Sequence, residues 1–391
     1  MLLPTSSRCL YHSKTHQMSN QNEFGASENG PKQREEENNV IPLQGRGFNP
    51  EMLVLARESR GLSQKELAEK SGISQSKLSK IEDGLLLDVS ERDLTVFAAS
   101  LAYPKHFFTQ PGTGKASCGY FYRKVSALPA KFLSQCNARM NVRRLHIERL
   151  ARSVDLDTVK LPSFDPDELR MGAAQAAQLL RQYWNIPSGP VSNLTELVED
   201  AGCVVVHFDF GTRKLDGLSL YSEFAPPIIF LNSSFPADRM RFTLAHELGH
   251  IIMHRVPKPE MDEEANRFAG EFLMPERDIR GSFYPVSLDL LARKKLYWKV
   301  SMQSLLKRGC DLGEISERYG RFLWMQMGKF GYRSCEPHED AIEREAPRLI
   351  EEMIQVHLDE LDYSREDLAD ALGLFREEFE SIYLPQMLKA S

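Results

Sequence analysis

His246-Glu247-Leu248-Gly249-His250 reads H-E-x-x-H, and the fold of the chain is read outward from it. On a helix, residues four apart share a face, so the two imidazoles can reach one metal ion. Glu247 projects beside them, placed to take a proton from a water held by that ion. The flanks support a helix. Arg241-Phe242-Thr243-Leu244-Ala245 leads in, Ile251-Ile252-Met253 continues without Pro, and Pro236-Ala237-Asp238 supplies a start. Gly249 sits mid-helix, where it costs about 1 kcal/mol against Ala, so a close-packing reason for it is expected.

A zinc site with two histidines needs a third protein ligand and an open position. An acidic helical segment, Glu260-Met261-Asp262-Glu263-Glu264-Ala265-Asn266-Arg267-Phe268-Ala269, follows at a suitable distance. Asp262, Glu263 and Glu264 are the candidates. Asp262 and Asn266 are one turn apart, so Asp262 can ligate while Asn266 orients a histidine. Glu264 is the next choice, and the run also suits a solvated helix N-terminus. His254 is expected to pack, or to support a ligand, because a fourth protein ligand would close the water position.

The two blocks, Arg241 to His250 and Asp262 to Pro275, together resemble the ImmA/IrrE family of zinc metallopeptidases. The resemblance implies a compact zincin-like fold and cleavage of repressor proteins, often ones built on a helix-turn-helix. It also implies zinc held by His246, His250 and the residue three before Ala265. That position is usually Glu in the family and is Asp262 here. Upstream, Cys203 to Phe208, Leu215 to Tyr221 and Pro227 to Asn232 read as strands, with Gly211 and Asp216-Gly217 as turns. An edge strand beside the metal would offer an extended peptide a backbone ladder.

Leu62 to Gly84 reads as two short helices around a turn. Ser63 and Ser74 are N-cap candidates, and Glu66 completes a capping box with Ser63. Gly72 suits a left-handed turn. Residues 49–107 resemble the lambda-repressor-like helix-turn-helix of the xenobiotic-response-element type. That resemblance implies that the second helix enters the major groove of double-stranded DNA. Gln75, Ser76 and Ser79 would then face bases, and Gln64, Lys77 and Lys80 would touch phosphates or neighbouring groups. Lys and Arg do not outnumber Asp and Glu in this segment, so its non-specific DNA affinity should be weak. From Gly119 to Arg152, by contrast, eight basic residues (Arg123, Lys124, Lys131, Arg139, Arg143, Arg144, Arg149 and Arg152) face Glu148 alone. This reads as an amphipathic connector whose cationic side meets phosphate or solvent. Tyr120, Phe121, Tyr122 and Phe132 read as packing.

One internal echo stands out. Ser364 to Leu374 parallels Ser63 to Ile73 in capping, apolar positions and Gly, but Phe375 to Glu380 is acidic where a DNA-reading helix would be neutral or basic. A coincidental capped helix pair and a degenerate, protein-binding half-motif are both open.

Length and charge bound the rest. The 391 residues carry a formal net charge of −6, and six cysteines show no C-x-x-C pairing, which fits a reducing cytoplasm. No apolar run reaches a membrane span, and the polar first forty-odd residues lack a signal-peptide core. Met18 is an alternative start. The expected fold class is mainly α with a small β-sheet (α+β). The expected organisation is a disordered tail (1–46), a helix-turn-helix domain (47–110), a basic helical connector (111–165), a zincin-like peptidase domain (166–285) and a helical C-terminal region (286–391). Expected partners are double-stranded DNA and a protein substrate of repressor or antitoxin type. A homodimer is open, and no membrane partner is expected. The competing expectation is a non-proteolytic, antitoxin-like regulator whose metal site is structural or sensory.

Overall fold

The computed structural model describes residues 47–111, 128–154, 161–164, 172–222, 225–256 and 258–384. The expected tail, together with Tyr120, Phe121, Tyr122, Arg123 and Lys124, lies outside them. The chain divides into two compact units, one from residues 1–115, 130–157 and 350–391, the other from 116–129 and 158–349. The architecture is helical with one three-stranded sheet, the expected α+β class. No described helix is long and apolar enough to cross a membrane.

The first unit begins with α1 (Pro50–Ser59), α2 (Gln64–Ser71), α3 (Gln75–Glu82) and α4 (Glu91–Leu101). Local chemistry sets these boundaries. Ser63 accepts from the Glu66 backbone while Glu66 reaches back to the Ser63 N–H, closing the expected capping box. Gly72 ends α2 at φ 68°, a left-handed conformation that favours glycine. Leu67, Leu78, Ile81 and Phe97 are fully buried and lock the helices together. Helix α5 (Ala130–Arg152) packs along α1, with Ala138 and Leu145 in the same core.

That packing changes the meaning of the basic stretch. Arg144 and Arg149 are buried; Arg144 pairs with Glu148 at 2.6 Å and Arg149 donates to the Leu372 carbonyl at 3.2 Å. Arg143 lies over the Tyr383 ring at 4.7 Å, and Lys131 pairs with Glu66 at 2.8 Å. Four of the basic groups expected to meet phosphate or solvent therefore serve contacts inside the unit. Periodicity located the helix but not the neighbours that would cover it.

The second unit holds α6 (Ala173–Tyr183), α7 (Leu194–Asp200), β1 (Val204–Phe208), β2 (Gly217–Ser222), β3 (Ala225–Asn232), α8 (Ala237–Met253), α9 (Met261–Leu273), α10 (Glu276–Ile279), α11 (Leu288–Trp298), α12 (Met302–Asp311) and α13 (Glu317–Lys329). The sheet order is β1-β3-β2, with β1 parallel and β2 antiparallel to β3. Strand β2 is thus an edge strand, and α8 packs on β2 and β3. One core joins Leu244 and Leu248 of α8 and Phe268 and Phe272 of α9 to Leu291, Trp298, Leu305 and Leu323 further on. The segment up to α13 therefore shares a core with the helix that carries H-E-x-x-H, past the expected boundary at 285. The reason is long-range burial, which local periodicity does not reveal.

The chain then returns to the first unit with α14 (Leu349–Asp359), α15 (Arg365–Leu372) and α16 (Arg376–Tyr383). The expected single C-terminal region is therefore divided between the units. The parallel with the N-terminal helices holds element by element. Helices α2 and α15 are eight residues each, as are α3 and α16. Ser364 and Asp367 close a second capping box, and Gly373 adopts φ 73° as Gly72 does. Leu368 and Phe379 are fully buried where Leu67 and Leu78 are. The likeness reaches one helix further than the sequence comparison: Met353 and Ile354 of α14 are buried as Met52 and Leu53 of α1 are. A run of three helices with matching caps and buried positions, not a lone capped pair, ends the described chain.

Candidate metal centre and helix-turn-helix surface

Helices α8 and α9 are consecutive, and their pairing places His246 against Asn266, Gly249 against Phe268 and His250 against Asp262. Gly249 provides the close approach: a Cβ there would lie 3.0 Å from Phe268 Cδ1. The expected packing reason for this glycine is thus a side chain of the neighbouring helix.

The His246 and His250 Nε2 atoms are 3.1 Å apart, and Asp262 Oδ1 lies 3.6 Å from His250 Nε2. One ligand atom from each of His246, His250 and Asp262 falls within 4.8 Å of the others. Two imidazoles and a carboxylate form an N/O donor set that suits zinc. Burial first, then the neighbouring rings of His246 and His254, holds His250 neutral, far below the usual histidine range. A neutral ring is the form that binds a metal. His246 Nδ1 meets Asn266 Oδ1 at 3.0 Å; the carbonyl oxygen can only accept, so the ring donates through Nδ1 and keeps Nε2 bare.

The other acids have different surroundings. Glu263 is exposed and pairs with Arg267. Glu264 Oε2 lies 3.0 Å from His254 Nε2 and 3.1 Å from Lys258 Nζ, away from the three-residue cluster. His254 is the C-cap of α8 with extended backbone (φ −117°, ψ 107°), so it has left the helix. Its buried ring turns back, Nδ1 to Nδ1, on His250 at 2.9 Å.

Glu247 is buried, and its Oε2 accepts from Ser219 Oγ at 2.8 Å. Burial pushes its pKa up to about 7; the Ser219 hydrogen bond opposes this, and the charges of Asp262 and Asp216 add to it. A carboxylate near neutrality is suited to exchanging protons with a substrate. Sequence reading passed over Ser219, because the contact crosses 28 residues from edge strand to helix and leaves no local pattern.

Buried charge anchors α8 at its start. Arg241 donates to the Val191 carbonyl at 2.8 Å and ion-pairs with Glu345. Glu345 in turn accepts from the Leu194 and Thr195 N–H groups at 3.0 and 2.9 Å, satisfying the first turn of α7.

On the helix-turn-helix, Gln75, Ser76 and Lys80 are exposed at the surface of α3. Lys77 is tied to Asp93 at 2.6 Å, and Ser79 Oγ donates to Asp83 at 3.1 Å. Gln64 Nε2 donates to Glu82 Oε2 at 2.8 Å; Glu82 also receives both arms of Arg57, at 2.6 and 2.9 Å. The structure thus groups Gln75, Ser76 and Lys80 at the surface and engages Gln64, Lys77 and Ser79 in contacts within the fold.

Residues 198–308 match the family model described as the IrrE N-terminal-like domain, of the peptidase M78 class, and residues 53–94 match a helix-turn-helix model. The chain therefore joins an N-terminal helix-turn-helix to an IrrE N-terminal-like domain, the expected fusion. No curated protein matches the chain.

Proposed function

We propose that this chain is a DNA-binding regulator whose IrrE-like domain is a zinc-dependent endopeptidase acting on a protein of repressor or antitoxin type. The observation that carries the proposal is the convergence of His246, His250 and Asp262 beside the buried carboxylate of Glu247. His246 Nε2, His250 Nε2 and a carboxylate oxygen of Asp262 would hold the ion. When bound, zinc supplies Lewis-acid polarisation of a carbonyl and lowers the pKa of water. Glu247, steadied by Ser219, takes the proton of the attacking water and delivers it to the leaving amine. Strand β2 carries Ser219 and is an edge, so an extended peptide can pair with its backbone next to Glu247. This favours a peptide over a small molecule. The test is zinc content of the purified chain with and without His246→Ala, joined to the Glu247→Gln variant argued in the Discussion. Absence of zinc from the unaltered chain, or its retention in full after His246→Ala, would remove the proposal.

DNA reading is assigned to α3 alone. Helices α2 and α3 carry Lys65, Lys70, Lys77 and Lys80 against Glu66, Glu69 and Glu82, whereas α15 and α16 carry only Arg365 and Arg376 against six acids. Arg376 is itself engaged with Glu366 at 3.7 Å and Glu380 at 3.2 Å. An acidic second copy is repelled by phosphate. Gln75→Ala should therefore weaken discrimination at one base pair by about 1–3 kcal/mol, while Arg376→Ala leaves base preference unchanged. Selection from a random duplex pool reads both; a changed preference in Arg376→Ala would show that the second copy reads DNA as well.

A further inference from the structure

We infer that Glu264, acting through His254, is a positioning residue that fixes the tautomer of His250 and so presents a bare Nε2 to the metal position. The inference rests on the metal reading above and adds to it a three-link chain of proton placement.

The chain can be followed atom by atom. Glu264 Oε2 faces His254 Nε2 at 3.0 Å; the carboxylate oxygen accepts, so that nitrogen carries the hydrogen. Lys258 Nζ pairs with the same oxygen at 3.1 Å and holds the carboxylate in place. With its proton on Nε2, His254 turns the lone pair of Nδ1 towards His250. That atom lies 2.9 Å from His250 Nδ1, so His250 must be the donor there. His250 Nε2 is left bare, facing His246 Nε2 at 3.1 Å and Asp262 Oδ1 at 3.6 Å. Across the site, Asn266 does the same for His246 with a single acceptor oxygen.

The backbone explains why His254 is free for this role. On a continuing helix it would follow His246 and His250 around the same side, at the spacing of a further ligand. Instead α8 stops at Met253, and His254 N–H still bonds to the His250 carbonyl at 2.9 Å while its extended backbone carries the ring behind His250. The ring is buried, and its two nitrogens meet His250 and Glu264 inside the protein. Partners of this kind, which hold a histidine ligand in one tautomer, typically change metal affinity 10–100-fold when removed.

The test compares Glu264→Ala, Glu264→Gln and Glu263→Ala in the full chain. Zinc affinity is read by competition with a chromophoric chelator, and donor set by the visible spectrum of the cobalt-substituted protein. Glu264→Ala is expected to weaken zinc 10–100-fold with the cobalt band shape unchanged. Glu264→Gln should recover most of the affinity, because its amide oxygen still accepts from His254 Nε2. Glu263→Ala, on the same helix but exposed, should match the unaltered chain. Equal affinities for Glu264→Ala and Glu263→Ala would overturn the relay, and so would a Gln variant as weak as the Ala variant. A changed cobalt band shape in Glu264→Ala would overturn it differently, by making Glu264 a ligand. If the unaltered chain takes up no zinc, the metal reading fails and the relay with it; normal uptake with an indifferent Glu264→Ala sinks the relay alone.

Discussion

Glu247→Gln is expected to slow hydrolysis of a helix-turn-helix repressor substrate by at least about 100-fold while zinc content stays at the level of the unaltered chain. The two effects separate because Glu247 and the proposed ligands have different surroundings. Glu247 is held by Ser219 from the sheet side, whereas His246, His250 and Asp262 converge between α8 and α9. A Gln side chain has the same shape and can still accept from Ser219 through its amide oxygen. It cannot accept a proton from water at neutral pH. Packing around this buried position is therefore kept and only the proton transfer is lost. Removing general-base action costs about 10²–10⁴ in rate, well above the few-fold scatter of purified variants. Full proteolysis by the Gln variant would exclude Glu247 as the base. Unchanged regulation in cells carrying it would favour the competing reading, a regulator whose metal site is structural or sensory.

Legibility of the site in the sequence followed the range of the contacts. What lies within one or two helical turns is readable: the shared face of His246 and His250, the spacing of Asp262 and Asn266 by one turn, and the capping boxes at Ser63 and Ser364. Spacing alone left three acids open as third ligand. Helix pairing separates them, because the α8–α9 register brings Asp262 to His250 and aims Glu264 at a histidine that has already left the helix. Contacts between elements far apart in the chain had no periodic signature. Ser219 under Glu247, Arg241 on Glu345, and the arginines of α5 covered within their own unit are all of this kind. The domain boundaries were hard to read for the same reason. A helix of α13 type looks alike whether it packs on the core of α8 and α9 or on a separate unit, and only the burial of Leu323 and Met327 in that core decides it.

Lys295→Met should destabilise the second unit by about 3–5 kcal/mol, the largest stability effect of any single change considered. Lys295 on α11 is fully buried, with its ammonium 2.7 Å from Asp238 Oδ2 and 2.9 Å from Glu336 Oε2. Burial by itself would lower its pKa, but the hydrogen bonds and charges of Asp238 and Glu336 outweigh it and hold the pKa above the usual lysine range. The same lysine thus joins the first turn of the H-E-x-x-H helix to Glu336, which also accepts from the Met302 and Gln303 N–H groups at 2.7 and 3.1 Å at the start of α12. Methionine fills much of the volume but leaves two carboxylates, each almost fully shielded from water, facing each other without a cation. The cost comes from this stranded charge rather than from lost packing, and that distinction can be tested. Adding Asp238→Asn and Glu336→Gln to Lys295→Met removes the charge and should restore most of the lost stability. Trp184, Trp298 and Trp324 all lie in the second unit, so tryptophan fluorescence during urea unfolding follows this unit without interference from the first. A loss under about 1 kcal/mol, or no recovery in the triple variant, would show that packing and not charge pairing holds α8 and α12 to α11.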